Sequence, residues 1–309
     1  MPETSNRSGI IIIDKPAGIT SAGVVSIVKK ALRAKKVGHA GTLDPFAEGV
    51  LICCVNQATR LAEFLLHGRK TYIAELKLGE ETDTQDSTGT VIASTAPQNF
   101  TKATIQAVVK EFEGTLEQLP PVYSALKHKG VPLYKLAHSG KPVQKPPRRI
   151  EIHYIRLLDL ALPMIRFEVS CSAGTYIRTL GADIAKRLGC GGHLTALTRT
   201  ACNGWNLDQA LPLSDLERMV PGLGESPHFI DMADALPQMP AFTADAHVVK
   251  KIRHGQAITA RELSGPGELD TAPKADLTIK VLDQMGKLVA ILNYQEHDQP
   301  LKYCCVFAV

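Results

Sequence analysis

No stretch of this chain is apolar for long enough to cross a bilayer. The run from Gly9 to Ile13 falls far short of the ~20 residues that a spanning helix needs. The opening MPETSNRSG lacks a basic segment ahead of an apolar core, so no secretory signal is expected and the chain is placed in the cytoplasm. Seven cysteines include no CxxC pair and no other zinc-like spacing, which predicts reduced, mostly buried thiols in place of a disulfide or metal framework. Long internal repeats and low-complexity tracts are also missing. Neither sign of charge dominates: 35 Lys and Arg face 31 Asp and Glu, a formal +4 that points only weakly to an anionic partner.

What is present suffices for a core. The 309 residues are 44% apolar and 21% charged, the balance of a soluble globular protein, and the length predicts a catalytic body with a small appendage. The basic residues are unevenly spread. Between Gln118 and Ile150 there is no acidic residue but seven basic ones: Lys127, Lys129, Lys135, Lys141, Lys145, Arg148 and Arg149. That block is a candidate polyanion contact, and equally a solvated basic loop.

Periodicity predicts the main elements. Ile10 to Ile13 reads as a buried strand closed by Asp14, Pro16 and Gly18, with Thr20 or Ser21 capping a helix that carries Val24, Ile27, Val28 and Leu32. A second helix opens near Thr101 and stops at Gly114. Strict alternation puts Ile165, Phe167, Val169 and Cys171 on one face of a strand. After Gly174 the stripe Ile177, Leu180, Ile184 and Leu188 marks a helix with Arg178 in its first turn. From Trp205 to Pro240 the proline and glycine content predicts short helices and a crossing to a second domain near Ala241. Leu277 to Asp283, Lys287 to Gln295 and Leu301 to Val309 read as three strands, the first two joined by a turn at Gln284 to Lys287.

Chemistry is densest in Gly38-His39-Ala40-Gly41-Thr42-Leu43-Asp44-Pro45-Phe46-Ala47-Glu48-Gly49, a loop whose glycines allow close approach to a ligand. Pro45 biases Asp44 towards extended backbone and away from a helix. Asp-Pro is also an ordinary turn pair, so the residues alone leave Asp44 between a catalytic carboxylate and a turn aspartate. A nucleophilic aspartate needs a fixed cation nearby, and Arg178 is the candidate. An arginine in a helix's first turn opposes the dipole by about 0.3–1 kcal/mol, which an anionic partner would explain; otherwise it is an ordinary exposed arginine. Tyr72 alternates with Ala74, Leu76 and Leu78, as a strand tyrosine in a core would.

Four motifs taken together resemble the bacterial tRNA pseudouridine synthases of the TruB type. They are Asp14-Lys15-Pro16 with Gly18, Thr20 and Ser21; the loop Gly38 to Pro45; Tyr123-Ser124-Ala125-Leu126-Lys127; and Gly174-Thr175-Tyr176-Ile177-Arg178-Thr179. Their order follows the family's, and the likeness extends over nearly the whole chain. The resemblance implies an α+β pseudouridine synthase fold with a central mixed, largely antiparallel sheet, followed by a small PUA-like β-barrel. It implies residues 1–240 as the catalytic domain, an RNA-clamping insertion at about 118–150, and an RNA-binding domain at 241–309.

The implied reaction is isomerisation of uridine to pseudouridine at position 55 in the T loop of tRNA, with no metal or organic cofactor. Asp44 matches the catalytic aspartate, whose attack falls on the uracil ring or on the ribose anomeric carbon. Tyr72 matches the tyrosine that stacks on the extruded base, and Arg178 the arginine paired with the nucleophile. Tyr176 and Leu197 match residues lining the uridine pocket, and His39 one beside the flipped nucleotide. Lys127, Lys129, Arg148, Arg149 and Arg199 are candidate RNA contacts, whose charges would make affinity fall as salt rises. The family often has two adjacent arginines where this chain has Thr198-Arg199, which leaves the phosphate contacts at the pocket rim open. The expected partner is the tRNA T arm, bound by a monomer with no obligate protein partner and no membrane. Two other readings are a tRNA-folding protein with secondary catalysis, and a metal hydrolase built on Asp44 and Glu48, which has no accompanying ligand cluster.

Overall fold

The structure, a computed structural model, describes residues 6–96, 99–263, 277–294 and 299–307. Strand β1 (Gly9–Lys15) leads into α1 (Ser21–Leu32), then β2 (Val37–His39), β3 (Glu48–Val55), α2 (Ala62–Leu66) and β4 (Lys70–Leu78). A hairpin of β5 (Glu80–Thr82) and β6 (Val91–Ser94) precedes α3 (Lys102–Lys110) and β7 (Gly114–Gln118). An excursion with β8 (Lys127–His128), β9 (Val131–Pro132) and α4 (Leu133–His138) returns to β10 (Arg148–Ala161), β11 (Met164–Cys171), α5 (Ile177–Arg187) and β12 (Gly192–Cys202). Next come β13 (Trp205–Asn206), β14 (Leu211–Pro212), α6 (Leu216–Met219) and β15 (Phe229–Asp231). The chain ends with β16 (Ala241–Thr243), α7 (Ala246–Arg253), α8 (Ala260–Leu263), β17 (Leu277–Leu282), β18 (Leu288–Tyr294) and β19 (Lys302–Val306).

The main sheet runs β14-β1-β3-β12-β4-β11-β10-β7, with β2, β13 and β15 paired at its side. Among the described strands of this sheet only the β14/β1 and β12/β3 neighbours are parallel, which makes it mixed and largely antiparallel. The unbroken isoleucine run of β1 is explained by burial on both faces. Ile11 and Ile13 pack with Val24, Val28 and Leu32 of α1, while Ile10 and Ile12 face a second core shared with Leu288, Ile291, Cys305 and Phe307. Along β4, the alternate residues from Tyr72 to Leu78 are buried. The helix ends follow the capping signals: Thr20 Oγ1 accepts from the Gly23 amide at 2.9 Å and Thr101 Oγ1 from the Thr104 amide at 3.1 Å.

Strands β7 and β10 pair directly, from Gln118↔Arg148 to Gly114↔Ile152. The chain between them therefore leaves the sheet and comes back to the neighbouring position, as an insertion does. The segment after Trp205 contains short helices, as its composition predicts, but β14 and β15 also return from it to β1. At two and three residues, those strands are too short to show a period. The C-terminal strands form a four-stranded sheet, β16-β17-β18-β19, whose outer core includes Val248, Val249 and Ile252 of α7. Gln295, Ala308 and Val309, expected at strand ends, lie outside the described residues. Among the described residues, no helix is long and apolar enough to cross a membrane.

Candidate active site

Asp44 stands on the loop between β2 and β3, and that loop is held from several sides. Ser21, the first residue of α1, uses its hydroxyl twice: Oγ donates to the Leu43 carbonyl at 2.9 Å and accepts from the Leu43 amide at 2.8 Å. The Gly18 amide donates to the Pro45 carbonyl at 2.7 Å. Lys15, fully buried, donates to the Pro16 and Pro45 carbonyls at 2.9 and 3.4 Å. The Asp14-Lys15-Pro16 segment with Gly18 and Ser21 is thus a brace for the aspartate's backbone. Burial pushes the Lys15 ammonium down to about 8, against the opposing attraction of Asp44 and Glu48.

The far side of the loop is pinned by Arg199. It was expected as a rim contact to RNA, but its side chain is fully buried, with Nε donating to the Val50 carbonyl at 2.7 Å and Nη2 to the Gly41 carbonyl at 3.0 Å. Its place on β12, two residues from Leu197, puts both on one face of the strand, so that it faces the interior. Gly49 has φ +98, and a Cβ there would lie 2.3 Å from the Arg199 carbonyl oxygen, so β3 and β12 can close at this point only over a glycine.

Arg178 Nε donates to Asp44 Oδ2 at 2.8 Å. The guanidinium is 4% exposed and spends its other donors on the Thr84 carbonyl (2.6 Å), the Tyr123 carbonyl (2.8 Å) and a second carboxylate, Asp86 Oδ2 (3.4 Å). Asp86 itself accepts from Thr84 Oγ1 (2.8 Å), the Thr88 amide (2.9 Å) and Thr88 Oγ1 (2.5 Å). Sequence reading missed Asp86 because Thr82 to Thr88 looks like a solvated polar turn. Its one signal is the crowding of threonine donors around two aspartates. The N-terminal end of α5 is fixed by Gln118, which accepts from the Tyr176 amide at 2.8 Å and donates to the Tyr176 carbonyl at 3.0 Å.

These groups line one cleft of about 500 Å³. Its wall brings together Asp44, Tyr72, Arg178, Tyr176 and Leu197, with Arg148, Arg199, Lys70 and the Ser124 to Leu126 part of the insertion. Tyr72 belongs both to the core and to this wall, so the two readings of its position are compatible. Burial, partly offset by a hydrogen bond and the charge of Arg199, pushes its phenol up to about 12, and it is a neutral hydroxyl at pH 7. His39 is not part of the wall. It lies on β2 opposite Cys53, half-buried, with Nδ1 unpartnered among the described residues. Burial, and less strongly Arg199, push its imidazole below the ordinary range. Lys127, Lys129 and Arg149 are exposed, whereas Arg148 is half-buried over the Tyr176 ring, 4.4 Å from its centroid. No group of three His, Cys, Asp or Glu among the described residues could hold a metal ion.

The fold is shared with a chain of known structure. A chain in a crystal structure of a Cbf5-Nop10-Gar1 complex superimposes with a TM-score of 0.75 at 26% identity, covering 100% of this chain and 87% of that one. The class is pseudouridine synthase.

The family described as TruB family pseudouridylate synthase (N terminal domain) matches residues 29–177. The tRNA pseudouridine synthase B of Syntrophotalea carbinolica is 43% identical over 93% of this chain and 92% of its own length. That of Geobacter sulfurreducens is 43% identical over 80% and 81%. This chain belongs to the TruB family of pseudouridylate synthases.

Proposed function

We propose that this enzyme isomerises uridine to pseudouridine at position 55 in the T loop of tRNA, with Asp44 as the attacking carboxylate. The observation that carries the assignment is the Asp44–Arg178 ion pair at 2.8 Å inside a cleft lined by Tyr72, Tyr176 and Leu197. Attack on the uracil ring and attack on the ribose anomeric carbon both begin from a carboxylate held in this way. Arg178 orients the nucleophile and balances its charge from a buried position. Tyr72 offers a flat face to the extruded base, and the proton that C5 gives up as the new bond forms is matched by the one N1 takes once its glycosidic bond is broken. The bond made to C5 replaces the glycosidic bond, so no electrons are gained or lost.

Residues 1–240 are the catalytic domain in this reading, and residues 241–309 a PUA-like RNA-binding domain. The insertion at about 118–150 grips the T arm, with Lys127, Lys129 and Arg149 as exposed phosphate contacts, while His39 fills space beside the flipped nucleotide. The enzyme acts as a monomer in the cytoplasm. Replacement Asp44→Asn is expected to abolish pseudouridine formation while tRNA binding persists. Tritium release from tRNA labelled at uracil C5 measures the reaction, and substantial release by the pure variant refutes the assignment. Equal release from a transcript with cytidine at position 55 refutes the stated site.

A further inference from the structure

Four cationic side chains line the cleft, and three of them are accounted for. Lys70 Nζ donates to the Leu66 and Gly68 carbonyls, each at 2.8 Å. Arg199 holds the Val50 and Gly41 carbonyls, and Arg178 holds two carboxylates and two carbonyls. Arg148 differs. Among the described residues it has no carboxylate in ion-pair range, and its Nε is buried without an acceptor.

Its position is nevertheless constructed. Arg148 is the first residue of β10, opposite Gln118 of β7, and Gln118 grips the backbone of Tyr176 while the Arg148 guanidinium covers the ring of Tyr176. Gly174, at φ +86, leaves the guanidinium room, since a Cβ there would lie 3.3 Å from Cζ and Nη1. Stacking on an aromatic face fixes the plane of the guanidinium before any ligand arrives, which lowers the entropy lost on binding. A planar fork with free N–H groups suits the oxygens of a phosphodiester.

We propose that Arg148 binds the phosphodiester adjoining the target uridine, and so anchors the backbone at the point where the base leaves the stack. This deepens the function proposed above and rests on it. A base turned into the cleft past Tyr176 carries its own phosphates towards Arg148, a cleft-lining cation that among the described residues has no carboxylate in ion-pair range. The contact is part of substrate recognition at the reacting nucleotide, distinct from the exposed lysines of the insertion.

The test uses the full chain and a T-arm stem-loop RNA with a single neutral methylphosphonate placed, in turn, at each linkage flanking the target uridine. Wild type, Arg148→Gln and Arg148→Lys are compared by single-turnover pseudouridine formation, with melting curves to establish folding. On unmodified RNA, Arg148→Gln is expected to lose about 10- to 100-fold in kcat/KM, and Arg148→Lys less. One methylphosphonate linkage should slow wild type by a similar factor and slow Arg148→Gln no further. Losses that multiply at every linkage would overturn the phosphate contact, as would a variant equal to wild type. Wild type forming no pseudouridine on unmodified RNA would instead remove the functional reading itself.

Discussion

Replacing Asp86 by asparagine keeps the size of a buried side chain and removes one charge, which isolates what the second carboxylate does for Arg178. Both groups are nearly inaccessible, with side chains 6% and 4% exposed at a separation of 3.4 Å. Deleting one partner of a buried pair costs about 3–5 kcal/mol when the other is left uncompensated. Here Asp44 still neutralises Arg178 at 2.8 Å, so roughly half of that, about 2 kcal/mol, is expected. For a body of this size that lowers Tm by about 4–8 °C. The new amide must either turn donors towards the guanidinium or abandon the Thr84 and Thr88 donors. Arg178 is then free to shift, taking Asp44 with it, and kcat should fall by at least about tenfold with RNA affinity unchanged. Circular-dichroism melting, single-turnover rates and RNA binding measure the three quantities. A variant that melts within about 1 °C of wild type and turns over normally would refute the claim that Asp86 holds Arg178 in place.

Two further outcomes follow from the loop's supports. Gly49→Ala places a methyl against the Arg199 carbonyl, 2.3 Å away in the unrelaxed backbone, and strains a φ of +98. It should destabilise by about 2 kcal/mol or more, read as a Tm drop of at least about 4 °C. Lys15 gives a pH signature. Its folded value of about 8 lies below the 10.5 of the unfolded chain, so the unfolded state holds more protons between them and stability gains with rising pH across that window. Denaturant midpoints of wild type and Lys15→Met, compared at several pH values from 8 to 10, should show this gain in wild type and less of it in the variant.

The elements that carry a period were legible. β1, α1, α3, β11 and α5 all stand where apolar spacing and capping residues predict them, because each buries one face or both against a neighbour. Arg178 was legible for a different reason: a cation in a helix's first turn is unfavourable alone, and the structure supplies the opposing carboxylates. Asp86 was hidden because a polar turn reads the same whether it faces water or a buried guanidinium. Arg199 was expected as an RNA contact from the family resemblance, and its burial against the Val50 and Gly41 carbonyls was not legible because arginine is usually exposed. No local pattern could reveal the pairing of β14 and β15 with β1, since it depends on where the chain returns in three dimensions.

The supports of Asp44 also explain why the motifs are scattered. A carboxylate on a glycine-rich loop has little local structure to hold it, so its geometry must come from elements that the sheet brings alongside. Ser21 and Lys15 reach it from the β1–α1 corner, Arg199 from β12 and Arg178 from α5, and each bonds either the loop's backbone or the carboxylate itself. The same arginine that bonds Asp44 also donates to the Tyr123 carbonyl in the segment between β7 and β10. That segment therefore forms part of the cleft wall, and a perturbation there reaches Asp44 through one side chain. Sequence distance between the motifs is thus no measure of their independence: Asp44 and Asp86 share the Arg178 guanidinium, and losses from substitutions among these three should be non-additive.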